Sequence, residues 1–192
     1  RPNTLARMSS PDECPDEFDE ELRVTLAEHL GATPEEVAVG DSTPALFRRV
    51  LRYAPGGILF VAKQEEPRPR ILEGLQATAA PTLEELALLI DASTSLIFIP
   101  SPHTPSSEPL TGTAFGELMA QVPDRVTVVL DEAYLDYGED EQSVVSLREV
   151  RRFPNLVALR SYKKDYGFSG VRVHYALGGR EIIAALNAQV SV

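Results

Sequence analysis

Apolar residues along this chain form two patterns, short continuous runs and longer stretches with helical spacing. The continuous runs predict buried strands at residues 58–61, 95–99, 126–130 and 156–160, with a more mixed fifth strand at 171–177. Helical spacing or helix-start signals predict helices at residues 20–30, 44–53, 69–75, 83–90, 113–121 and 181–187. Strands that alternate with helices indicate a mainly parallel sheet covered on both faces. We therefore expect a three-layer α/β/α fold.

Composition places the chain among ordinary globular proteins and excludes some partners. Its 192 residues can bury a real core, and 43% of them are hydrophobic. The net charge of −11 argues against a nucleic-acid surface, which needs a basic stripe, and is most simply explained by solubility. No apolar run reaches the roughly 18 residues of a membrane span, and no signal peptide is visible. We expect a cytoplasmic protein that binds neither nucleic acid nor membrane. The single cysteine, Cys14, allows no intrachain disulfide and no cysteine metal cluster.

The segment after the predicted strand 156–160 carries the most specific chemical signal. Ser161 lies three residues before Lys164, and Arg172 lies eight residues after it. Such a set can hold a phosphorylated aldehyde cofactor, because the amine forms a Schiff base while the hydroxyl and guanidinium bind the phosphate. Lys163 competes for the role of the amine, but only Lys164 has both spacings. The alternative is a pair of surface lysines in a loop.

A second candidate position lies at the end of the predicted strand 126–130. Asp131 follows this strand directly, and ligands in such sheets bind beyond the carboxyl ends of the strands. A carboxylate there can keep a pyridine nitrogen protonated, and Tyr134 can hydrogen-bond the phenolic oxygen of the same ring. The alternative is that Asp131 caps the next turn and Tyr134 packs in the core.

Ser42 and Thr43 precede the predicted helix 44–53 and form a weaker candidate. Backbone N–H groups and hydroxyls at a helix N-terminus can bind phosphate. Serine and threonine are also common helix caps, so the alternative is a purely structural role. Two histidines, His103 and His174, are further candidates for proton transfer.

These motifs together resemble the fold-type I, pyridoxal-phosphate-dependent aminotransferases, most closely the histidinol-phosphate aminotransferase group. The similar segments are VVLDEAY at 128–134, PNLVALRS at 154–161, and LIFIPSPHTP at 96–105. Lys164, Gly167, Gly170, Arg172 and Val173 continue the second of these motifs. The resemblance covers nearly the whole chain in the right order.

The resemblance implies pyridoxal 5'-phosphate as the cofactor, a small-molecule amino substrate and a homodimer. It implies a Schiff base at Lys164, a ring-nitrogen contact from Asp131, ring-oxygen contacts from Tyr134 and Thr104, and phosphate contacts from Ser161, Arg172, Ser42 and Thr43. Thr104 stands where the family has an asparagine, and His174 stands where it has a glycine.

Other departures concern whole segments. Residues 65–67 contain no ring-stacking aromatic, and no tyrosine donated to a partner subunit is evident near residues 7–8. The segment between Gly74 and Leu83 is shorter than in the family. The chain stops at Val192, where the family's small C-terminal domain begins, so we expect that domain to be absent. We predict an N-terminal arm and helix at 1–35 and a cofactor-binding large domain at 36–192.

The resulting functional prediction is an aminotransferase of the histidinol-phosphate type, acting on an amino acid or amino-phosphate compound. A decarboxylase or lyase that uses the same cofactor is one alternative, because the fold does not define the reaction. The other is a non-catalytic relative that serves as a binding or assembly module, or a partial chain of a larger enzyme.

Overall fold

The computed structural model describes residues 15–62, 68–101, 110–133, 147–163 and 172–189. Its strands are β1 Val37–Gly40, β2 Gly57–Val61, β3 Ala77–Ala80, β4 Thr94–Pro100, β5 Thr127–Asp131, β6 Leu156–Lys163 and β7 Arg172–Gly178. Its helices are α1 Pro15–Leu30, α2 Thr43–Tyr53, α3 Leu83–Leu88, α4 Gly112–Met119, α5 Leu147–Arg152 and α6 Arg180–Asn187. Two short 3-10 turns are Pro34–Glu36 and Arg70–Leu72.

All seven strands form one sheet in the order β1-β7-β6-β5-β4-β2-β3. Neighbours from β3 to β6 are parallel, whereas β7 runs antiparallel to both β6 and β1. Strands β1 to β6 therefore end at one edge of the sheet, and β7 begins there. We call this the site edge, because ligands of such sheets bind beyond the carboxyl ends of the parallel strands.

Two hydrophobic cores lie on opposite faces of the sheet. On one face α1, α3, α4 and α5 pack through residues such as Leu26, Leu86, Phe115 and Val150. On the other, α2 and α6 pack through residues such as Phe47 and Ile183. The predicted three-layer α/β/α fold with a mainly parallel sheet is confirmed. We name the two sides the α1/α3/α4/α5 face and the α2/α6 face.

Most predicted elements are confirmed, and the differences have local causes. The predicted helix 69–75 is wrong, because only Arg70–Leu72 forms a 3-10 turn and Gly74 then takes a left-handed φ of 78°. Strands β1 and β3 and helix α5 were not predicted from the sequence. Strand β3 consists of alanine and threonine and buries only Ala80 fully, so it carries no apolar run.

A buried glutamate away from the site edge is expected to make the stability of the fold depend on pH. Glu36 is 5% exposed, and its carboxylate accepts bonds from Arg151 Nε at 2.7 Å and Nη2 at 3.0 Å. The Arg151 bonds are the main cause that lowers the pKa of Glu36 to about 2, and the Thr33 N–H adds to it.

We expect Glu36→Gln to reduce stability at pH 6 and to lose that disadvantage towards pH 3. A carboxyl whose pKa is lower in the folded state stabilises above its usual 4.5, and this contribution disappears as the pH falls towards about 2. Urea unfolding of the unaltered chain and of Glu36→Gln at several pH values measures the gap between their free energies of unfolding. Glu73→Gln, at an exposed glutamate, is the control. A gap that stays constant with pH would contradict the prediction.

Candidate active site

Asp131 lies at the site edge as the last residue of β5. It pairs with Pro100 of β4 and Leu159 of β6, and its Oδ1 accepts the Ala133 N–H at 3.1 Å. Burial raises the pKa of Asp131 to about 6, the neighbouring Glu132 charge adds to the rise, and the Ala133 N–H opposes it. At neutral pH the carboxylate is thus ionised in a place that solvates it poorly. Such a group fits a cationic partner such as a protonated pyridine nitrogen.

Ser161 lies beside Asp131 on the α2/α6 face. Strand alternation puts Ser161 on the side of Leu159, and Asp131 on the side of Val129, and both apolar residues belong to the core of that face. The Ser161 side chain is buried, and its Oγ donates to the Ala133 carbonyl at 2.7 Å. A hydroxyl has one proton, so Ser161 can accept a further bond but must release this carbonyl to donate to a phosphate.

The N-terminus of α2 reaches the same region from β1. Ser42 caps the helix by accepting the Ala45 N–H at 3.2 Å. Gly40 allows the tight connection, because a Cβ there would lie 2.8 Å from Leu46 Cγ. This local structure puts the helix start, which attracts anions, directly after the end of β1 at the site edge.

A hydrogen bond links the helix start to β7. Thr43 Oγ1 lies 3.1 Å from His174 Nδ1, and Thr43 is buried. Sheet register places His174 between Gly40 of β1 and Ser161 of β6. His174, a candidate for proton transfer in the sequence, therefore lies among the predicted phosphate ligands and contacts one of them.

The remaining predicted site residues lie at or beyond the limits of the described chain. Arg172 begins β7, and its backbone pairs with Lys163 at the site edge. Lys164 follows β6 directly in sequence but, like Tyr134 and Thr104, lies outside the described residues. The structure thus brings together Asp131, Ser161, Ser42 and Thr43 at one edge and the backbone of Arg172 with them. The ligand roles of all eight predicted residues stay predictions.

One pair of charged residues at this edge was not predicted from the sequence. Arg160 Nε donates to Glu132 Oε2 at 2.8 Å, and neither side chain is more than 8% exposed. The available signal was an arginine at the end of an apolar strand, together with a glutamate next to Asp131. In the described ranges no helix has the length and apolar character of a membrane span, and no group of three potential metal ligands occurs.

Two solved structures with the same fold are aminotransferases by name. The histidinol-phosphate aminotransferase from Sinorhizobium meliloti, solved in complex with pyridoxal-5'-phosphate, gives a TM-score of 0.69 at 20% identity over 92% of this chain and 56% of that one. An aspartate aminotransferase single mutant from Thermus thermophilus gives 0.66 at 23% identity, covering 90% of this chain and 50% of that one. The fold is that of the fold-type I pyridoxal-phosphate enzymes.

Sequence comparison then defines the family. The profile of "Aminotransferase class I and II" matches residues 18–191, and the chain belongs to this family. Its cofactor is pyridoxal 5'-phosphate, as the sequence analysis predicted.

Two curated relatives carry different substrate names. The "Aromatic amino acid aminotransferase" of Corynebacterium diphtheriae is 39% identical over 90% of this chain and 54% of its own length. The "Histidinol-phosphate aminotransferase" of Lysinibacillus sphaericus is 32% identical over 90% of this chain and 50% of its own length. The chain thus spans about half the length of these relatives.

Proposed function

We propose that this chain forms the cofactor-binding part of an aminotransferase that moves the amino group of an amino acid. Residues 36–192 are the proposed cofactor-binding domain, and residues 1–35 the proposed arm and helix. The observation that carries the proposal is the presence at the site edge of both the partly buried Asp131 carboxylate and the start of α2. The carboxylate suits a cationic ring nitrogen, and the helix N-terminus suits an anion. The cofactor of this family has a pyridine nitrogen and a phosphate group.

The residues present would each do one task. When bound, pyridoxal 5'-phosphate supplies an aldehyde that condenses with amines and a ring that withdraws electrons. Asp131 would hold the proton on the ring nitrogen, and the start of α2 with Thr43 would hold the phosphate. Lys164 would supply the amine that binds the aldehyde and would then move the proton at the substrate Cα.

The substrate proposal follows from the relatives. An aromatic amino acid is the first choice, because the Corynebacterium diphtheriae relative bears that name and shares more identity than the relative named for histidinol phosphate. Histidinol phosphate is the second choice, because the sequence resembles the histidinol-phosphate aminotransferase group and an amino-phosphate compound was among the expected substrates. A cytoplasmic homodimer is part of the proposal. Sedimentation of the chain with cofactor tests the dimer, and fractionation of the producing cells tests the compartment.

One experiment tests the cofactor site and the reaction in turn. Pyridoxal 5'-phosphate is added to the chain, and we expect a visible absorption band that borohydride removes while fixing the cofactor to a peptide containing Lys164. Without borohydride, phenylalanine, tyrosine or histidinol phosphate is then added under single-turnover conditions. Loss of the band with formation of the matching oxo compound supports transamination. Release of carbon dioxide would indicate a decarboxylase, and absence of a band at saturating cofactor would indicate a non-catalytic relative.

A further inference from the structure

The short segment Asp131–Ala133 is held by hydrogen bonds from three sides. The Asp131 carbonyl accepts the Ser101 N–H at 2.7 Å, and the Glu132 N–H donates to Leu159 at 2.8 Å. The peptide group that joins Asp131 to Glu132 is therefore tied to both neighbouring strands, β4 and β6. Rotation of this segment would break bonds on both sides.

The third side is the backbone of Ala133, whose N–H and carbonyl contact two predicted ligands. Its N–H donates to Asp131 Oδ1 at 3.1 Å, and its carbonyl accepts Ser161 Oγ at 2.7 Å. The backbone conformation at Ala133 thus links the position of the Asp131 carboxylate to that of Ser161. Glu132 is the residue between Asp131 and Ala133, so its backbone conformation orients the Ala133 N–H directly, and a change there also displaces the Ala133 carbonyl.

Glu132 is fixed by a partner on the opposite face of the sheet. Its fully buried carboxylate accepts Arg160 Nε at 2.8 Å, and Arg160 itself is 7% exposed. By strand alternation Arg160 lies on the side of Ala158, a core residue of the α1/α3/α4/α5 face. Arg160 is also the residue before Ser161, so the ion pair joins the two segments that carry Asp131 and Ser161.

We propose that Glu132 and Arg160 are positioning residues. Their ion pair on the α1/α3/α4/α5 face fixes the backbone of Ala133 and thereby the Asp131 carboxylate on the α2/α6 face. The inference rests on the proposed function, because only there does Asp131 meet a cofactor. Replacement of Arg160 removes this ion pair from the fully buried Glu132 carboxylate, and breaking a buried pair by removing one partner is costly. The segment would relieve this by turning Glu132 outward, which breaks the bonds of Ala133.

The test compares Arg160→Met with Arg151→Met, which breaks the ion pair to Glu36 at the other end of the sheet. Residue-resolved hydrogen exchange is measured on the cofactor-free chain at the amides of Ala133 and Val129. For Arg160→Met we expect exchange at Ala133 to accelerate at least about tenfold more than at Val129, because local opening adds to any global loss of stability. For Arg151→Met we expect both amides to change by the same factor.

A second readout uses the cofactor. We expect Arg160→Met to raise the Kd for pyridoxal 5'-phosphate about tenfold and to shift the absorption maximum, while Arg151→Met changes neither. Arg160→Lys keeps the charge without the guanidinium fork, and it provides the same measurements if Arg160→Met does not fold. Equal acceleration of both amides in the Arg160 variants, with unchanged Kd, would overturn the inference. If the unaltered chain binds no cofactor, the proposed function fails, and the Ala133 exchange still decides the positioning role.

Discussion

Asp131→Asn is expected to yield a protein that is more stable at pH 7 and that binds pyridoxal 5'-phosphate more weakly. The folded state raises the pKa of Asp131 from 3.8 to about 6 through burial. Ionisation at neutral pH therefore costs up to about 3 kcal/mol, at about 1.4 kcal/mol per pH unit. Asparagine avoids this cost, and its amide oxygen can still accept the Ala133 N–H. We expect a gain of about 1–3 kcal/mol in the free energy of unfolding.

The pH dependence gives the sign of this effect. A carboxyl whose pKa is higher in the folded state binds its proton more tightly there, so the free energy of unfolding falls as the pH rises from about 4 to 6. The advantage of the asparagine variant should appear over that range and vanish below it. Urea unfolding at pH 3.5, 5 and 7 measures it. Asp91→Asn is a control of opposite sign, because bonds from Ser93 and Thr94 lower the pKa of that exposed carboxylate.

The functional loss follows from the same carboxylate. A neutral amide cannot balance the charge of a protonated ring nitrogen, and a hydrogen bond to a charged group contributes about 1.5–3 kcal/mol. We expect the Kd for the cofactor to rise about tenfold to a hundredfold and the turnover of an active enzyme to fall about 10²–10³-fold. Spectral titration with the cofactor measures the Kd, and single-turnover kinetics measure the loss of rate. Unchanged affinity and spectrum would mean that Asp131 does not contact the cofactor ring.

The sequence predicted the centre of the sheet because burial on both faces leaves a recognisable run of apolar residues. Strands β4 and β5 contain such runs and were located within one residue at each end, whereas β6 begins where predicted and continues three residues further, to Lys163. The ends of the sheet carry weaker patterns. Strand β1 has four residues, and α5 buries only Val150 among charged neighbours, so neither shows a period long enough to detect.

The candidate site was predictable where it depends on strand ends and not where it depends on distant contacts. Asp131 could be placed because it follows an apolar strand directly. The bond between Thr43 and His174 joins positions 131 residues apart. It exists because β7 inserts in antiparallel orientation between β1 and β6. Local spacing contains no information on that insertion. Local spacing also does not predict the ion pair of Glu132 and Arg160, because their contact depends on the register between β5 and β6.

Lys164→Ala is expected to have the largest effect on activity. The amine of this residue is proposed both to bind the cofactor aldehyde and to move the substrate Cα proton. Loss of a positioned proton-transfer group alone costs about 10²–10⁴ in rate. We expect the visible band of the chain with cofactor to disappear and single-turnover transfer to become undetectable or to fall by at least that factor. Fluorescence or equilibrium dialysis should still detect noncovalent cofactor binding, because the phosphate contacts remain.

Lys163→Ala is the matched control for the choice between neighbouring lysines. Lys163 is the last residue of β6 and pairs with Arg172 at the site edge, so its backbone reaches the same place. Only Lys164 has serine and arginine at the spacings that favour a cofactor site, and we expect Lys163→Ala to keep the band. Added methylamine should partly restore the rate of Lys164→Ala, because a free amine can enter the space of the lost side chain and accept the proton. A band that survives Lys164→Ala and disappears in Lys163→Ala would transfer the role to Lys163.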